Sequence, residues 1–332
     1  MDIIGGVGAK ACVTGGMAQY ARIMAERATT NTSPPPAKNT SDQWQDIFWE
    51  CDGLKLHARD YPGPAKGKKT APVILCLPGL TRNARDFDAL APALAARHRV
   101  LAIEFRGRGE SAYDREAARY QPATYAADVL ALLDQQGITR IITIGTSLGG
   151  LVSMLIAALR PGLIAGALLN DVGPEVNPAG IERIRAYVGQ AASHKTWVHC
   201  ARALAADNQA VYPHFTLNDW LRLAKRTFRL TPEGTIIADY DSNIALPFRT
   251  MDGAATPAPD MWPLFDGLKG TPLVITRGSK SDILAERTAK KMVSRHGDAT
   301  LVRVADVGHA PTLDQGDVRA AIDIWLQRIA AG

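Results

Sequence analysis

The sequence reads Ile141-Ile142-Thr143-Ile144-Gly145-Thr146-Ser147-Leu148-Gly149-Gly150 near its middle. A β-favouring run leads into Gly-x-Ser-x-Gly, and the apolar run 151–159 that follows has helical character. That order predicts a strand, a sharp turn and a helix, the setting in which a serine becomes a nucleophile. Gly145 and Gly149 remove the side chains that would collide around a strained Ser147.

His309 is the leading candidate for the base that such a serine needs. It follows the apolar run 300–304 and a glycine-containing loop, so we expect it at the carboxyl end of a strand. Ser147 should emerge at the same edge of the sheet. The two side chains are therefore predicted to meet.

Two aspartates compete for the role of the acid that orients the histidine. Asp282 lies in the loop after the predicted strand 273–277, and Asp171 follows the predicted strand 164–170. Both satisfy the chain order serine, acid, histidine, so the order cannot choose between them. Asp306 is a weaker third choice, because its place close to His309 fits a local hydrogen bond in the loop.

A loop after another buried strand offers the donors that a tetrahedral oxyanion requires. Pro78-Gly79-Leu80 follows the apolar run 73–77, and Gly79 lets the backbone approach a ligand. The N–H of Leu80 would pair with that of Leu148, which opens the helix after the serine.

In this order the motifs resemble those of the α/β-hydrolase superfamily, over roughly residues 46 to 330. The matching segments are Leu77-Pro78-Gly79-Leu80, Phe105-Arg106-Gly107-Arg108-Gly109-Glu110-Ser111, 145–149, 278–282 and 308–309. The resemblance implies Ser147 as nucleophile, Asp282 as acid and His309 as base, with oxyanion donors at Leu80 and Leu148. Asp171 stays open as the alternative acid, because some members take their acid from that earlier strand.

The chain departs from the family pattern at two positions. Pro78 stands where the family usually has histidine, and Glu104 where it usually has aspartate. The first change removes a side chain that often orders the oxyanion loop, whereas the second keeps the charge.

Alternating strand and helix patterns predict an α/β fold: a doubly wound, mostly parallel eight-stranded sheet with helices on both faces and a helical cap insertion. Residues 48–57 predict a hairpin that turns at Asp52-Gly53, and residues 317–329 predict a closing helix. We assign 46–173 and 251–332 to the core, 174–250 to the cap or lid, and 1–45 to a flexible N-terminal extension.

Four side chains are candidates for contacts with the substrate: Arg82, Trp197, Tyr212 and Trp220. The aromatic residues could equally form the core of the cap. Arg82 could hold a carboxylate or pair with Asp86, and both interpretations stay open.

Composition narrows the class of protein further. The net charge is +5, but the basic residues are scattered along the chain and accompany no nucleic-acid-binding motif. No phosphate-binding loop, dinucleotide fingerprint or metal-ligand spacing occurs, so we expect no cofactor, no metal and no nucleic-acid partner. The four cysteines suggest reduced thiols, and no apolar run is long enough to span a bilayer. We expect a cytoplasmic protein with a small acyl substrate and leave a homodimer open.

Hydrolysis of a small carboxylic ester through a covalent acyl-enzyme is the function that these patterns favour. The same triad could cleave a carbon–carbon bond in a meta-cleavage product, open a lactone or transfer the acyl group to an alcohol. A non-catalytic ligand-binding protein on this scaffold is the alternative from another class.

Overall fold

The computed structural model describes residues 43–64, 71–190, 192–249 and 260–331. The strands are β1 (Gln45–Cys51), β2 (Leu54–Tyr61), β3 (Val73–Leu77), β4 (Val100–Glu104), β5 (Ile141–Thr146), β6 (Ile164–Asn170), β7 (Ser193–His194), β8 (Phe228–Leu230), β9 (Ile236–Ala238), β10 (Leu273–Gly278) and β11 (Ala299–Val304).

The α-helices are α1 (Ala91–Ala95), α2 (Pro122–Gln135), α3 (Leu148–Leu159), α4 (Pro178–Tyr187), α5 (Trp197–Asn208), α6 (Leu217–Thr227), α7 (Leu246–Arg249), α8 (Trp262–Asp266), α9 (Glu286–His296) and α10 (Gly316–Ala331). Short 3₁₀ turns lie at Ala84–Phe87, Ala117–Arg119 and Ser242–Ala245.

Eight strands form the main sheet in the order β1-β2-β4-β3-β5-β6-β10-β11. β2 runs antiparallel to both β1 and β4, and the other neighbours pair in parallel. The hairpin turns at Asp52-Gly53, as the sequence predicts. The predicted eight-stranded, mostly parallel sheet is confirmed.

Apolar side chains of the strands alternate between two cores, one on each face of the sheet. In β3, Val73, Leu75 and Leu77 face one core, whereas Ile74 and Cys76 face the other. Helices α2, α3, α8 and α9 pack on the first face, and α1 and α10 on the second. Burial on both faces explains why these strands read as continuous apolar runs.

The strand order brings the predicted site segments together. β3, β5, β6 and β10 are successive neighbours, and each ends at the same edge because the four are parallel. The loops after them carry Leu80, Ser147, Asp171 and Asp282. This edge is where open α/β sheets bind their ligands.

Between β6 and β10 the chain leaves the sheet and forms a segment with its own small core. The segment contains α4 to α7 and an antiparallel sheet of order β7-β9-β8, which the sequence pattern did not predict. Its core comprises Cys200, Ala201, Trp220, Leu223, Ala224, Phe228 and Ile236. We call residues 178–249, from α4 to α7, the inserted segment.

Of two predicted boundaries, the one after residue 45 falls just inside the described residues and the one at residue 251 falls outside them. Residues 1–42 of the expected N-terminal extension, 1–45, lie outside the described part of the chain. Its last residue, Gln45, already belongs to β1. The expected return to the core at residue 251 falls in the gap 250–259. None of the described helices has the length and apolar character needed to cross a lipid bilayer.

Candidate active site

Ser147 sits on a strained turn between β5 and α3. Its backbone has φ 51° and ψ −113°, a conformation that residues with a side chain rarely adopt. The N–H of Ser147 donates to the Asn170 carbonyl oxygen at 3.0 Å, which ties the turn to the end of β6. The turn places Ser147 at the carboxyl end of β5.

Two glycines make this turn sterically feasible. A methyl group on Gly145 would lie 2.4 Å from the Gly149 carbonyl oxygen, and one on Gly149 would lie 2.1 Å from that of Leu77. Both contacts are with backbone atoms that have no freedom to rotate away. The helix therefore packs directly against the strands only because both positions lack a side chain.

His309 links the serine to a carboxylate. Its Nε2 lies 2.9 Å from Ser147 Oγ, and its Nδ1 lies 2.8 Å from Asp171 Oδ2. The imidazole is 10% exposed and the Asp171 side chain is completely buried. With Asp171 accepting from Nδ1–H, Nε2 is left to accept the serine proton.

The acid beside His309 is Asp171 and not Asp282, which corrects the assignment implied by the resemblance. Asp171 comes directly after β6, and its Oδ1 accepts the Gly278 N–H at 3.0 Å, so Oδ2 is free for the histidine. Asp282 instead forms a bidentate pair with Arg183 of α4, at 2.5 and 2.9 Å. The guanidinium of Arg183 lowers the pKa of Asp282.

Asn170 connects three segments of the site, a role that the sequence analysis missed. Its Nδ2 donates to Thr146 Oγ1 at 3.1 Å and to the Pro311 carbonyl at 2.9 Å. Its Oδ1 accepts from Thr276 Oγ1 at 2.5 Å. This buried amide thus holds the serine strand, the histidine loop and β10 in register. Its place before Asp171 at a strand end was the only signal in the sequence.

The two predicted oxyanion donors are available. Leu148 is the first residue of α3, directly after Ser147, and Leu80 follows Gly79 in the loop after β3. A methyl group built on Gly79 would lie 4.0 Å from Ser147 Cβ. Among the described residues, neither the Leu80 nor the Leu148 N–H donates to a protein acceptor. Two unpaired N–H groups beside a serine are what an oxyanion hole requires.

The candidate substrate contacts divide into two groups. Arg82 forms a bidentate pair with Asp86 and donates to Thr227 Oγ1 at 2.8 Å, so its charge is already neutralised. Trp220 is buried in the core of the inserted segment, and Trp197 packs against the same core. The expectation that Trp220 contacts the substrate is wrong, because this side chain fills the interior of the insertion, whereas a substrate contact at the partly buried Trp197 stays a prediction.

Tyr212 lies at the junction between the inserted segment and the histidine loop. Its hydroxyl donates to the Ala310 carbonyl at 2.7 Å, and the Gly308 N–H donates to the Val211 carbonyl at 2.9 Å. Burial raises the pKa of Tyr212 to about 12. Residues 211–212 therefore form hydrogen bonds with the loop on both sides of His309.

Cys51, Asp52 and Asp128 form a group of metal-type ligands in the described part of the chain. The two carboxylates already share the Arg106 guanidinium, whose Nη2 contacts both of them. Cys51, Cys76 and Cys200 are free thiols, and burial raises the pKa of Cys51 to about 11. The cation that this group holds is thus an arginine side chain.

The family model described as the alpha/beta hydrolase family matches residues 74–322. The chain belongs to this family. An alpha/beta hydrolase of Novosphingobium aromaticivorans has a solved structure that is 53% identical, with a TM-score of 0.81. The match covers 86% of the present chain and 99% of that one.

Two curated relatives extend the comparison of this alpha/beta hydrolase. A 3-hydroxybutyrate-oligomer hydrolase of Cupriavidus necator is 35% identical over 246 residues, which are 72% of this chain and 83% of that protein. An esterase of Mycobacterium tuberculosis is 26% identical over 265 residues, 77% of this chain and 82% of that protein. These relatives are hydrolases, which supports hydrolytic chemistry for the present alpha/beta hydrolase.

Proposed function

We propose that the protein is a serine hydrolase that cleaves small carboxylic esters through a covalent acyl-enzyme. The observation that carries this proposal is the position of His309, whose ring nitrogens lie within 2.9 Å of Ser147 Oγ and 2.8 Å of Asp171. A serine is a weak nucleophile until a base within hydrogen-bond reach takes its proton.

In the first half of the reaction, His309 Nε2 takes the Ser147 proton as Oγ attacks the ester carbonyl carbon. The carbonyl π electrons move to oxygen, and the N–H groups of Leu80 and Leu148 bind the resulting oxyanion. Asp171 stabilises the imidazolium. When the tetrahedral intermediate collapses, the C–O bond of the ester breaks and Nε2 returns its proton to the departing alcohol.

In the second half, water replaces the alcohol. Nε2 removes a proton from the water as its oxygen attacks the acyl carbon, and a second oxyanion forms at the same two donors. Collapse breaks the bond to Ser147 Oγ, which regains its proton from Nε2. The products are a carboxylic acid and the free enzyme, with no net change in the protein.

Short oligoesters of hydroxy acids are the substrate class that we favour among small esters. The 3-hydroxybutyrate-oligomer hydrolase of C. necator aligns over 83% of its length and supports this choice. Such a substrate joins its units by ordinary carboxylic esters, so the chemistry above applies without a further catalytic group.

The test is a substrate panel with purified protein: short-chain aryl esters, the dimer and trimer of 3-hydroxybutyrate, lactones and a dienoic diketone. We expect turnover of the aryl esters and the oligomers, abolished in Ser147→Ala. Turnover of lactones or the diketone alone would contradict ester hydrolysis while keeping the serine nucleophile. Inactivity of the folded protein towards the whole panel would contradict the proposal.

A further inference from the structure

Arg108 is a completely buried arginine in the turn after β4. No carboxylate lies within salt-bridge distance of its guanidinium among the described residues. Its neighbour Arg106 is equally buried but pairs with Asp52, Asp114 and Asp128. Burying a cation without a counter-charge lowers the free energy of unfolding, so a role in function would account for keeping Arg108 at this position.

Those contacts lead directly to the oxyanion loop. Nε of Arg108 donates to the Leu80 carbonyl at 2.9 Å. Nη1 donates to the Arg106 carbonyl at 2.7 Å and to the Tyr125 hydroxyl at 3.0 Å, and the guanidinium lies 4.8 Å from the centre of the Tyr125 ring. The buried Nη2 has no protein partner among the described residues.

The Leu80 N–H lies between two carbonyl groups that are both held. The Gly79 carbonyl, in the same peptide group as that N–H, accepts from Arg82 N at 3.2 Å. The next carbonyl, that of Leu80, is the one that Arg108 binds. Pinning both oxygens fixes the orientation of the intervening N–H. Without Arg108, the Leu80 carbonyl would lose this hydrogen bond, and the peptide groups on both sides of Leu80 could rotate.

We infer that Arg108 is the positioning residue of the oxyanion hole. Its guanidinium also contributes a positive charge that no carboxylate neutralises. This inference rests on the proposed ester hydrolysis. Its hydrogen bond fixes the peptide that donates to the oxyanion. Its charge, buried where water cannot screen it, favours the negative oxygen over the neutral carbonyl of the bound ester. The effect therefore falls on the transition state and not on substrate binding.

The experiment compares Arg108→Met and Arg108→Gln with the wild type, and uses the exposed Arg160→Met as the control. A trifluoromethyl ketone serves as the probe, because a serine adds to it to give a hemiketal whose oxygen occupies the oxyanion hole. Fluorine NMR reports adduct formation, adduct affinity and the pKa of the hemiketal hydroxyl. Steady-state kinetics on an aryl ester give kcat and KM.

We expect Arg108→Met to lower kcat by about 100-fold, the usual effect of losing one oxyanion donor, with KM little changed. Ketone affinity should fall in parallel and the hemiketal pKa should rise. Arg108→Gln keeps a donor within reach of Leu80 but lacks the charge, so it should also raise the hemiketal pKa. This variant carries the test if the methionine variant fails to fold. Arg160→Met should match the wild type.

Variants of Arg108 that keep the wild-type hemiketal pKa and kcat would overturn the inference. A higher KM at unchanged kcat would overturn it too, because that result assigns Arg108 to substrate binding. A folded wild-type protein that forms no adduct would contradict the proposed serine chemistry itself. Adduct formation in the wild type thus separates the two failures.

Discussion

At the scale of single residues, the direction of proton transfer depends on which nitrogen of His309 carries hydrogen. A buried carboxylate that accepts from Nδ1–H leaves the lone pair of Nε2 facing Ser147. Asp171 is in that position at 2.8 Å and has a backbone N–H holding its other oxygen. Asp282, about one third exposed and paired with Arg183, cannot replace it without breaking that pair.

We predict that Asp171→Asn lowers kcat by about 10⁴-fold, because the amide stabilises the wrong tautomer of the histidine. Asp282→Asn is the matched control. It removes only an ion pair that is about one third exposed, whose contribution to stability is about 1 kcal/mol or less, and should keep kcat within a few fold. Ester hydrolysis by both variants at equal folded concentration checks this. The opposite order of losses would make Asp282 the acid.

At the scale of secondary-structure elements, two contacts support the site. One is the close packing of α3 against the strands, and the other is the side-chain interaction between β2 and β4. The first contact is steric and involves the backbone of Leu77. The second is polar: His57 of β2 is buried between Glu104 and Asp46. Each gives a stability prediction that needs no knowledge of the substrate.

Gly149→Ala should lower the free energy of unfolding by about 1–3 kcal/mol, because its methyl group would overlap the Leu77 carbonyl and force α3 away from β3. Gly316→Ala, at the start of α10, is the control, since a methyl group there meets nothing within 4 Å. Urea unfolding of both variants measures the difference. Equal stability of the Gly149 variant and the wild type would show that the helix can shift without cost.

His57 should make stability depend on pH. Burial opposes its protonation, but hydrogen bonds and charges of Glu104 and Asp46 outweigh burial and raise its pKa above 6.5. The stabilisation is therefore complete below pH 6.5 and is lost as the pH rises through the folded-state pKa. The unfolding free-energy difference between the wild type and His57→Gln should shrink as the pH rises. A difference that grows with pH would contradict this assignment.

At the scale of the whole molecule, the inserted segment helps to build the active site as well as lying beside it. Its residues Val211 and Tyr212 hold the loop on either side of His309. Arg183 on α4 binds Asp282 in the loop after β10. Contacts from both the main sheet and the inserted segment therefore hold His309 in position.

Tyr212→Phe should lower kcat about fivefold and the free energy of unfolding by about 1 kcal/mol, because it removes one hydrogen bond to the histidine loop. Tyr113→Phe, at an exposed tyrosine, is the control. Kinetics on an aryl ester, with thermal unfolding alongside, distinguish the two effects. An increase in KM alone would assign the Tyr212 hydroxyl to the substrate instead of the loop.

The sequence predicts most of the fold because the sheet strands are buried on both faces and therefore stand out as apolar runs. It also predicts Ser147 and His309, whose local motifs carry their own signal. β7, β8 and β9 are missed because strands of two or three residues show no periodicity. The contact of Asp171 with His309 joins residues 138 positions apart, and the partner of Asp282, Arg183, is 99 residues away, so no local pattern reveals which aspartate meets the histidine.

Ester hydrolysis by this mechanism requires that Ser147 becomes covalently acylated. Incubation of the folded protein with a fluorophosphonate, followed by peptide mass spectrometry, identifies the residue that reacts. We predict one adduct, on Ser147, that forms rapidly in the wild type, far more slowly in Asp171→Asn and not at all in Ser147→Ala. An adduct on another residue, or none in protein that hydrolyses esters, would contradict the account.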